Sequence, residues 1–401
     1  MPDLTVELGN TTPEYLSQVR YALTFLSEAV VSYAIDETEG QVVIEFRPGA
    51  DLDAMRARLQ DLLDRYQQSE FGTKRVVYFD LRRELPATDA WAGLLERRWA
   101  TPVGEGHVIL RGPAAQLLAM VDHKAANLAK EFKAELEIFP STILCRTLDR
   151  CNHFTSFPEH MDFVSHLRPD LGVLSEFSDA CKTEGWSPGL HEGKMSAHDF
   201  AVSPSCCYHA YEGMEGWDLE KPGRSITAVL NCHRYEGANH QPLRRLRSFT
   251  RREIVFVGQP GFVISRRARV EELIQQWAKD WELSCSFEAA NDMFFSDDFA
   301  VKASFQRQQE AKRELLMDIP SEKNSLSVFS SNFHAATFGK AFGITVGGKP
   351  AVSGCVGWGG ERWVYALLSQ FGFDSAEWPA GLKKDYDAFT AGGAYWLASS
   401  P

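Results

Sequence analysis

Leu4, Val6 and Leu8 alternate with Thr5 and Glu7, a period of two that predicts a strand over 3–8. Thr12-Pro13-Glu14 reads as a helix start, with Thr as N-cap and Pro at the first helical position. Tyr15, Val19, Leu23, Leu26 and Val30 continue an apolar helical face. Two short strands, 31–35 and 42–46, flank the turn Thr38-Glu39-Gly40. Asp51 then caps a second amphipathic helix carrying Met55, Leu59, Leu62 and Leu63 on one side. This β-α-β-β-α order predicts a small α+β domain over residues 1–85, with a further strand at 75–79. Pro86 and Pro102-Val-Gly-Glu-Gly mark a connection over 86–105.

From residue 106 the pattern changes. Gly112-Pro113 opens a long helix over 114–132, with Leu117, Leu118, Val121 and Leu128 on its apolar side, and a strand at 134–139 ends at Pro140. A helix is expected over 169–184, then a loop rich in Gly, Ser and His to Ser205. Strands are expected at 225–230, 253–257, 325–329 and 343–346, and helices at 270–283 and from 360 to 370. Strands this far apart, with few β-α-β units, predict an α+β fold: an antiparallel sheet flanked by helices over 106–401.

A length of 401 residues suits two or three domains. With 44% hydrophobic and 24% charged residues, and no apolar run of membrane length, a disordered or membrane-spanning chain is excluded. The net charge of −12 argues against bulk electrostatic binding of nucleic acid. Residues 1–110 hold 11 basic and 18 acidic side chains, so more than half of the excess lies in the first quarter of the chain. Eight irregularly spaced cysteines without a Cys-x-x-Cys pair, and no leader-like N-terminus, predict a reduced, cytoplasmic setting. Any metal site must then join distant residues.

Two stretches carry candidate chemistry. Cys232-His-Arg234-Tyr-Glu236, a polar loop and Leu243-Arg-Arg-Leu-Arg-Ser-Phe249-Thr-Arg-Arg252-Glu253 read as strand, loop and strand. A guanidinium fixed on a strand suits bidentate phosphate binding, and Phe249 suits stacking on a base. On composition alone the same run reads as a solvated basic hairpin. Ser353-Gly-Cys355-Val-Gly-Trp-Gly-Gly360-Glu361-Arg362 places glycines before a helix whose first turn bears an arginine, an arrangement that favours phosphate oxygens.

These stretches resemble motifs 2 and 3 of class II aminoacyl-tRNA synthetases, and the helix and strand ending at Pro140 resemble motif 1. The likeness is strongest to amino acid:carrier-protein ligases, which are themselves similar to the catalytic core of methanogen-type seryl-tRNA synthetases. It spans about residues 106–390 and takes in Ser156-Phe-Pro158, Ser203-Pro-Ser-Cys206-Cys207-Tyr, Asn291-Asp292-Met and Ser331-Asn332-Phe-His334. The resemblance implies a class II synthetase-like sheet of six or seven antiparallel strands and a homodimer formed through motif 1. It implies one zinc ion per subunit held by Cys207, Glu236 and Cys355, with Cys206 as the alternative to Cys207. The fourth zinc position would take the substrate amine. It further implies ATP with Mg²⁺ held by Arg234 at the α-phosphate and Arg362 at the γ-phosphate, with Phe249 on the adenine. Arg252 and Glu253 are further ATP-site candidates, and Asn332, Asp292 and Glu253 are candidates for the amino-acid side.

The function that follows is ATP-dependent activation of a small amino acid (glycine, alanine or serine) to an aminoacyl adenylate. The aminoacyl group then passes to the phosphopantetheine thiol of an acyl or peptidyl carrier protein. The helix at 169–182 occupies the place of the carrier-docking helix, and Arg168, Arg244, Arg245 and Arg247 are basic candidates for the carrier's acidic surface. The alternatives are a seryl-type enzyme charging tRNA and a non-catalytic synthetase paralogue. The acidity of residues 1–110 disfavours tRNA, and the intact Arg234, Glu236, Cys355 and Arg362 set disfavours the paralogue.

Overall fold

The computed structural model describes residues 1–67, 76–196, 199–237, 239–290 and 311–392. The N-terminal domain runs β1 (Asp3–Glu7), α1 (Pro13–Thr24), β2 (Val30–Asp36), β3 (Gln41–Phe46) and α2 (Leu52–Gln67), the expected β-α-β-β-α order. Its strands form an antiparallel sheet in the order β1-β3-β2. Leu4 and Val6 of β1 turn inward by strand alternation and meet Val19 and Leu23 of α1 and Leu59 and Leu63 of α2 in a core of their own.

The strand expected to complete that domain belongs elsewhere. β4 (Val77–Asp80) pairs with the strand Cys285–Ala289 of the main sheet, and Phe79 stacks on Phe287 at 5.4 Å. The expected connection is also built in: Ala90 and Leu94 of a short helix, Ala90–Glu96, and Ala100 are buried in the main core. Apolar side chains at these positions make the segment a wall of the larger body rather than a linker.

Among the described residues the main sheet has eight strands. After β4 come β5 (Glu135–Leu136), β6 (Gly223–His233), β7 (Ser248–Gly258), β8 (Cys285–Ala289), β9 (Lys312–Ile319), β10 (Asn324–Ala335) and β11 (Val352–Gly359). Their order is β4-β8-β9-β10-β11-β7-β6-β5, antiparallel throughout except for β5, which runs parallel to β6. β6, β7 and β10 outgrow the expected 225–230, 253–257 and 325–329 because polar residues at their ends still pair along the ladder. β11 forms where no strand was expected, and the strand expected at 343–346 is only Thr345–Val346, paired outside the main sheet.

The main-body helices used below are α3 (Gly112–Glu131), α4 (Leu171–Glu184), α5 (Cys207–Gly213), α6 (Pro260–Asp280) and α7 (Gly360–Phe371). α6 begins ten residues before the expected start, with Pro260 in its first turn; Arg266, Arg267 and Arg269 obscure its apolar period. Trp277 of α6 stacks on Trp363 of α7 at 5.1 Å, which ties both helices into the core on one side of the sheet. The alternation of β7 and β11 divides the two sides. Ile254, Phe256, Val356 and Trp358 face the helices, whereas Val255, Val257 and Cys355 face a separate cluster with Cys207 and Tyr211 of α5. The candidate site lies on that second side.

Candidate active site

β7 and β11 are antiparallel neighbours in a register that sets Glu253 opposite Gly357 and Val255 opposite Cys355. Side chains two apart share a face, so Glu253 and Cys355 project to the same side. α5 brings Cys207 over them. One ligand atom from each of Cys207, Glu253 and Cys355 lies within 4.8 Å of the others, and all three residues are buried. Glu253 is 0% exposed; its Oε1 accepts from Arg251 Nε at 2.5 Å, while its Oε2 has no hydrogen-bond partner. The thiol of Cys355 beside it and burial hold the Cys207 thiol well above its ordinary range. Leaving a carboxylate oxygen buried and unpaired costs several kcal/mol, on the order of a lost charged hydrogen bond. A divalent cation among these three groups removes that cost and favours two thiolates. The donor set, two sulfurs and one oxygen, suits zinc with one position open. Asn332 Nδ2 stands 3.7 Å from Cys355 Sγ, and His334 Nε2 stands 3.8 Å from it, at the rim of the same cluster.

Arg251 is the neighbouring cation. It shares the Glu253 face, reaches Ser330 Oγ at 3.1 Å, and fills the space above Gly357. A Cβ at Gly357 would sit 2.7 Å from Arg251 Nη2, so a glycine there lets the guanidinium lie flat on the sheet.

The arginine and aromatic residues gather beyond β6 and β7. Arg234 follows the end of β6, donates from Nε to Pro204 O at 3.0 Å, and sets its guanidinium 5.6 Å from the Phe249 ring centroid. Phe249 pairs with Cys232 across the ladder. Arg362, in the first turn of α7, donates to Arg244 O at 2.7 Å and Ser327 O at 3.1 Å. Burial and the nearby Arg245 lower its pKa to about 10, so it is still charged near neutrality.

Glu361 holds Thr250, the residue after Phe249. Its two carboxylate oxygens accept from Thr250 N at 3.0 and 2.9 Å, and one accepts from Thr250 Oγ1 at 2.9 Å. Burial pushes its carboxyl up to about 7 from an ordinary 4.5. The folded state therefore holds a proton that the unfolded chain releases. The stability from this group is fully present below 4.5 and is lost as pH rises through 7. Glu361→Gln is expected to flatten that dependence: the difference in Tm between native and variant chains should change between pH 5 and pH 8 and level off above. A difference that does not vary with pH would contradict the assignment.

No family model matches the chain. It is 31% identical over 269 residues to amino acid–acyl-carrier-protein ligase 1 of Bradyrhizobium diazoefficiens, an alignment covering 66% of this chain and 81% of that protein. Ligase 2 of the same organism is also 31% identical, over 66% of this chain and 78% of its own length. The chain belongs to the amino acid–acyl-carrier-protein ligase family. A type-2 serine–tRNA ligase of Methanocaldococcus jannaschii is 26% identical over 79% of this chain and 61% of its own length. In fold, this ligase-family chain resembles the M. kandleri seryl-tRNA synthetase crystallised with A. aeolicus tRNASec (TM-score 0.69, 21% identity, 96% of this chain and 77% of that one). The fold class is therefore that of class II synthetases, as the motifs imply.

Against this family frame the structure corrects two expected site residues. Glu236, expected as a metal ligand, is away from the cysteines: it lies beyond the end of β6 and accepts from Arg245 Nη1 at 2.9 Å. Glu253 takes its place beside Cys207 and Cys355. Arg252, expected at ATP, faces the other side of the sheet. It pairs with Asp122 of α3 and donates to Thr227 Oγ1 at 3.2 Å. Odd positions of β7 face the site and even positions face α3, so the residue missed was Arg251, one step away. Cys206, the alternative thiol, is turned away from the cluster: its Sγ faces Ala228 O at 3.9 Å and packs with Cys232. The Arg234 guanidinium lies near the Phe249 ring, and Asn332 lies beside the cluster. Asp292 lies outside the described residues.

The basic candidates for a partner surface are largely engaged within the chain. Arg244 pairs with Glu322, Arg245 with Glu236 and Arg247 with Asp162. The helix expected at 169–182 is α4, which has no buried residue; Leu171 is 83% exposed and Leu174 41%.

Proposed function

We propose that this chain activates a small amino acid with ATP and passes the aminoacyl group to the phosphopantetheine thiol of a carrier protein. The observation that carries the reading is the buried Cys207, Glu253 and Cys355 cluster with its unpartnered Glu253 oxygen, on the strand β7 that also carries Phe249, with Arg234 just past the end of β6 and Arg362 in the first turn of α7. The naming of the two relatives at 31% identity as amino acid–acyl-carrier-protein ligases supports the acceptor.

In the first step a carboxylate oxygen of the amino acid attacks the α-phosphorus of ATP. The bond from that phosphorus to the bridging oxygen breaks, and pyrophosphate leaves with the electron pair. Arg234 binds the α-phosphate and offsets the charge that develops on it; Arg362 holds the far end of the triphosphate; Phe249 stacks on adenine. In the second step the carrier thiolate attacks the acyl carbon and AMP leaves. Zinc held by Cys207, Glu253 and Cys355 would supply a Lewis acid for the substrate amine. Asn332, beside Cys355, lies where it would orient that amine's neighbours. Mg²⁺ accompanies ATP.

Among the described residues β5 ends the sheet, and the exposure of Leu136 (65%) and, just past the strand, Ile138 (91%) supports a homodimer built on α3 and this strand. The exposed apolar end of α4 supports carrier docking there. No helix among the described residues is long and apolar enough to cross a membrane, and all eight cysteines are free, which supports a cytoplasmic setting.

The test is amino-acid-dependent exchange of pyrophosphate into ATP, screened over glycine, alanine, serine and the other amino acids. Exchange with at least one small amino acid is expected, and none with any would refute the reading. A mass gain on a holo carrier protein is expected where bulk tRNA stays uncharged; charging of tRNA alone would favour the seryl-type enzyme.

A further inference from the structure

The core face of α1 is Tyr15, Leu16, Val19 and Leu23, continued past the helix end by Leu26. Tyr21 is only 7% exposed yet belongs to no part of that core. It is buried by the other domain. Its hydroxyl donates to Glu159 Oε1, on a carboxylate whose side chain is 3% exposed, and the Arg245 guanidinium lies 6.0 Å from its ring centroid. Arg245 in turn holds Glu236 at 2.9 Å.

One turn further along the same face, Thr24 and Phe25 press on Gly237. A Cβ at Gly237 would meet Thr24 Cγ2 at 2.7 Å and Phe25 Cε1 at 3.2 Å, and the backbone there is left-handed at φ +59°. Phe25, which caps the end of α1, and Tyr21 are edge-to-face at 5.4 Å, so Tyr21, Thr24 and Phe25 form one surface. The segment they touch is the loop between β6 and β7. It starts at Arg234, whose N–H donates to Arg247 O at 2.9 Å. Tyr235 N–H donates to His160 O at 3.1 Å, and Glu159 is the neighbour of His160.

We propose that the N-terminal domain clamps the ATP-binding loop in its working conformation, with Tyr21 as the positioning residue that joins Glu159 and Arg245. The proposal rests on the reading of Arg234 and its loop as the ATP site. It gives the acidic N-terminal domain a task within the chain that needs no tRNA. The loop carries the guanidinium that meets the α-phosphate, so a small displacement of the loop weakens ATP binding before it touches the amino-acid pocket.

The test compares native chain, Tyr21→Phe and Tyr21→Ala. In pyrophosphate exchange, Tyr21→Ala is expected to raise KM for ATP on the order of tenfold, with KM for the amino acid within about twofold. Tyr21→Phe keeps the ring and should fall between. Unchanged KM for ATP in Tyr21→Ala, or ATP and amino-acid KM rising together, would overturn the clamp. Amide exchange of residues 235–247 without any ligand separates this from a failure of the functional reading. The clamp predicts exchange about tenfold faster in Tyr21→Ala at equal global stability, whichever reaction the native chain catalyses. Equal loop exchange in the three proteins would refute it.

Discussion

Cys355→Ala is expected to strip the purified chain of zinc and of amino-acid-dependent pyrophosphate exchange together. Cys355 supplies one of two sulfurs in a three-donor cluster, and two donors hold zinc weakly. Perturbing even an outer partner of a metal ligand costs about 10- to 100-fold in affinity, so loss of a direct ligand should exceed about 100-fold. Metal content per chain after dialysis reads this directly and does not depend on activity. Glu253→Gln should act in the same direction, because it removes the charge on the oxygen that has no other partner. Cys206→Ala and Glu236→Gln are the controls: Cys206 packs against Cys232, and Glu236 pairs with Arg245. Stoichiometric zinc in Cys355→Ala, or its loss in Glu236→Gln with retention in Glu253→Gln, would sink the ligand set.

The contrast between Glu236 and Glu253 shows where sequence reasoning stops. Both glutamates belong to one strand–loop–strand stretch, and each follows an arginine by two residues. Only the register decides between them. Glu253 is opposite Gly357, two residues from Cys355 on the neighbouring strand, whereas Glu236 has left the ladder. Register depends on pairing between segments about a hundred residues apart, which no local pattern encodes. Arg251 and Arg252 illustrate the same limit within one strand: adjacent and chemically identical, they are separated only by which face meets α3. By contrast, the β-α-β-β-α order of the N-terminal domain was legible, because Leu4, Val6, Val42 and Ile44 keep a clean period of two and α1 a clean helical face. Its boundary was not. Val77–Asp80 has the composition of any edge strand, and its partner lies near residue 287. Tyr21 gave no local sign of its place either, since one aromatic on the polar side of a helix looks like an ordinary surface residue.

Arg234→Ala is expected to lower kcat for exchange by about 10²- to 10³-fold, the usual cost of removing one preorganised donor from developing charge. Arg234 lies at the loop entrance; its side chain donates to Pro204 O and sets its guanidinium near Phe249, and its backbone bond to Arg247 O survives truncation, so little of the fold depends on the side chain. Its Tm should stay close to native. Arg234→Lys should recover only a small part of the rate, because an ammonium cannot reproduce the planar two-point grip. Arg252→Ala should do the reverse. It leaves Asp122 and Thr227 without their partner in the core beside α3, which should cost about 1–3 kcal/mol, discounted for the partial exposure of Asp122. The folded fraction should exchange pyrophosphate at nearly the native rate. Measuring Tm and kcat on both variants gives a crossed pattern that a single general destabilisation cannot produce. If Arg252→Ala lost the reaction while keeping its Tm, and Arg234→Ala did the opposite, the assignment of faces on β7 would be wrong and the phosphate site would have to be sought on the α3 side of the sheet.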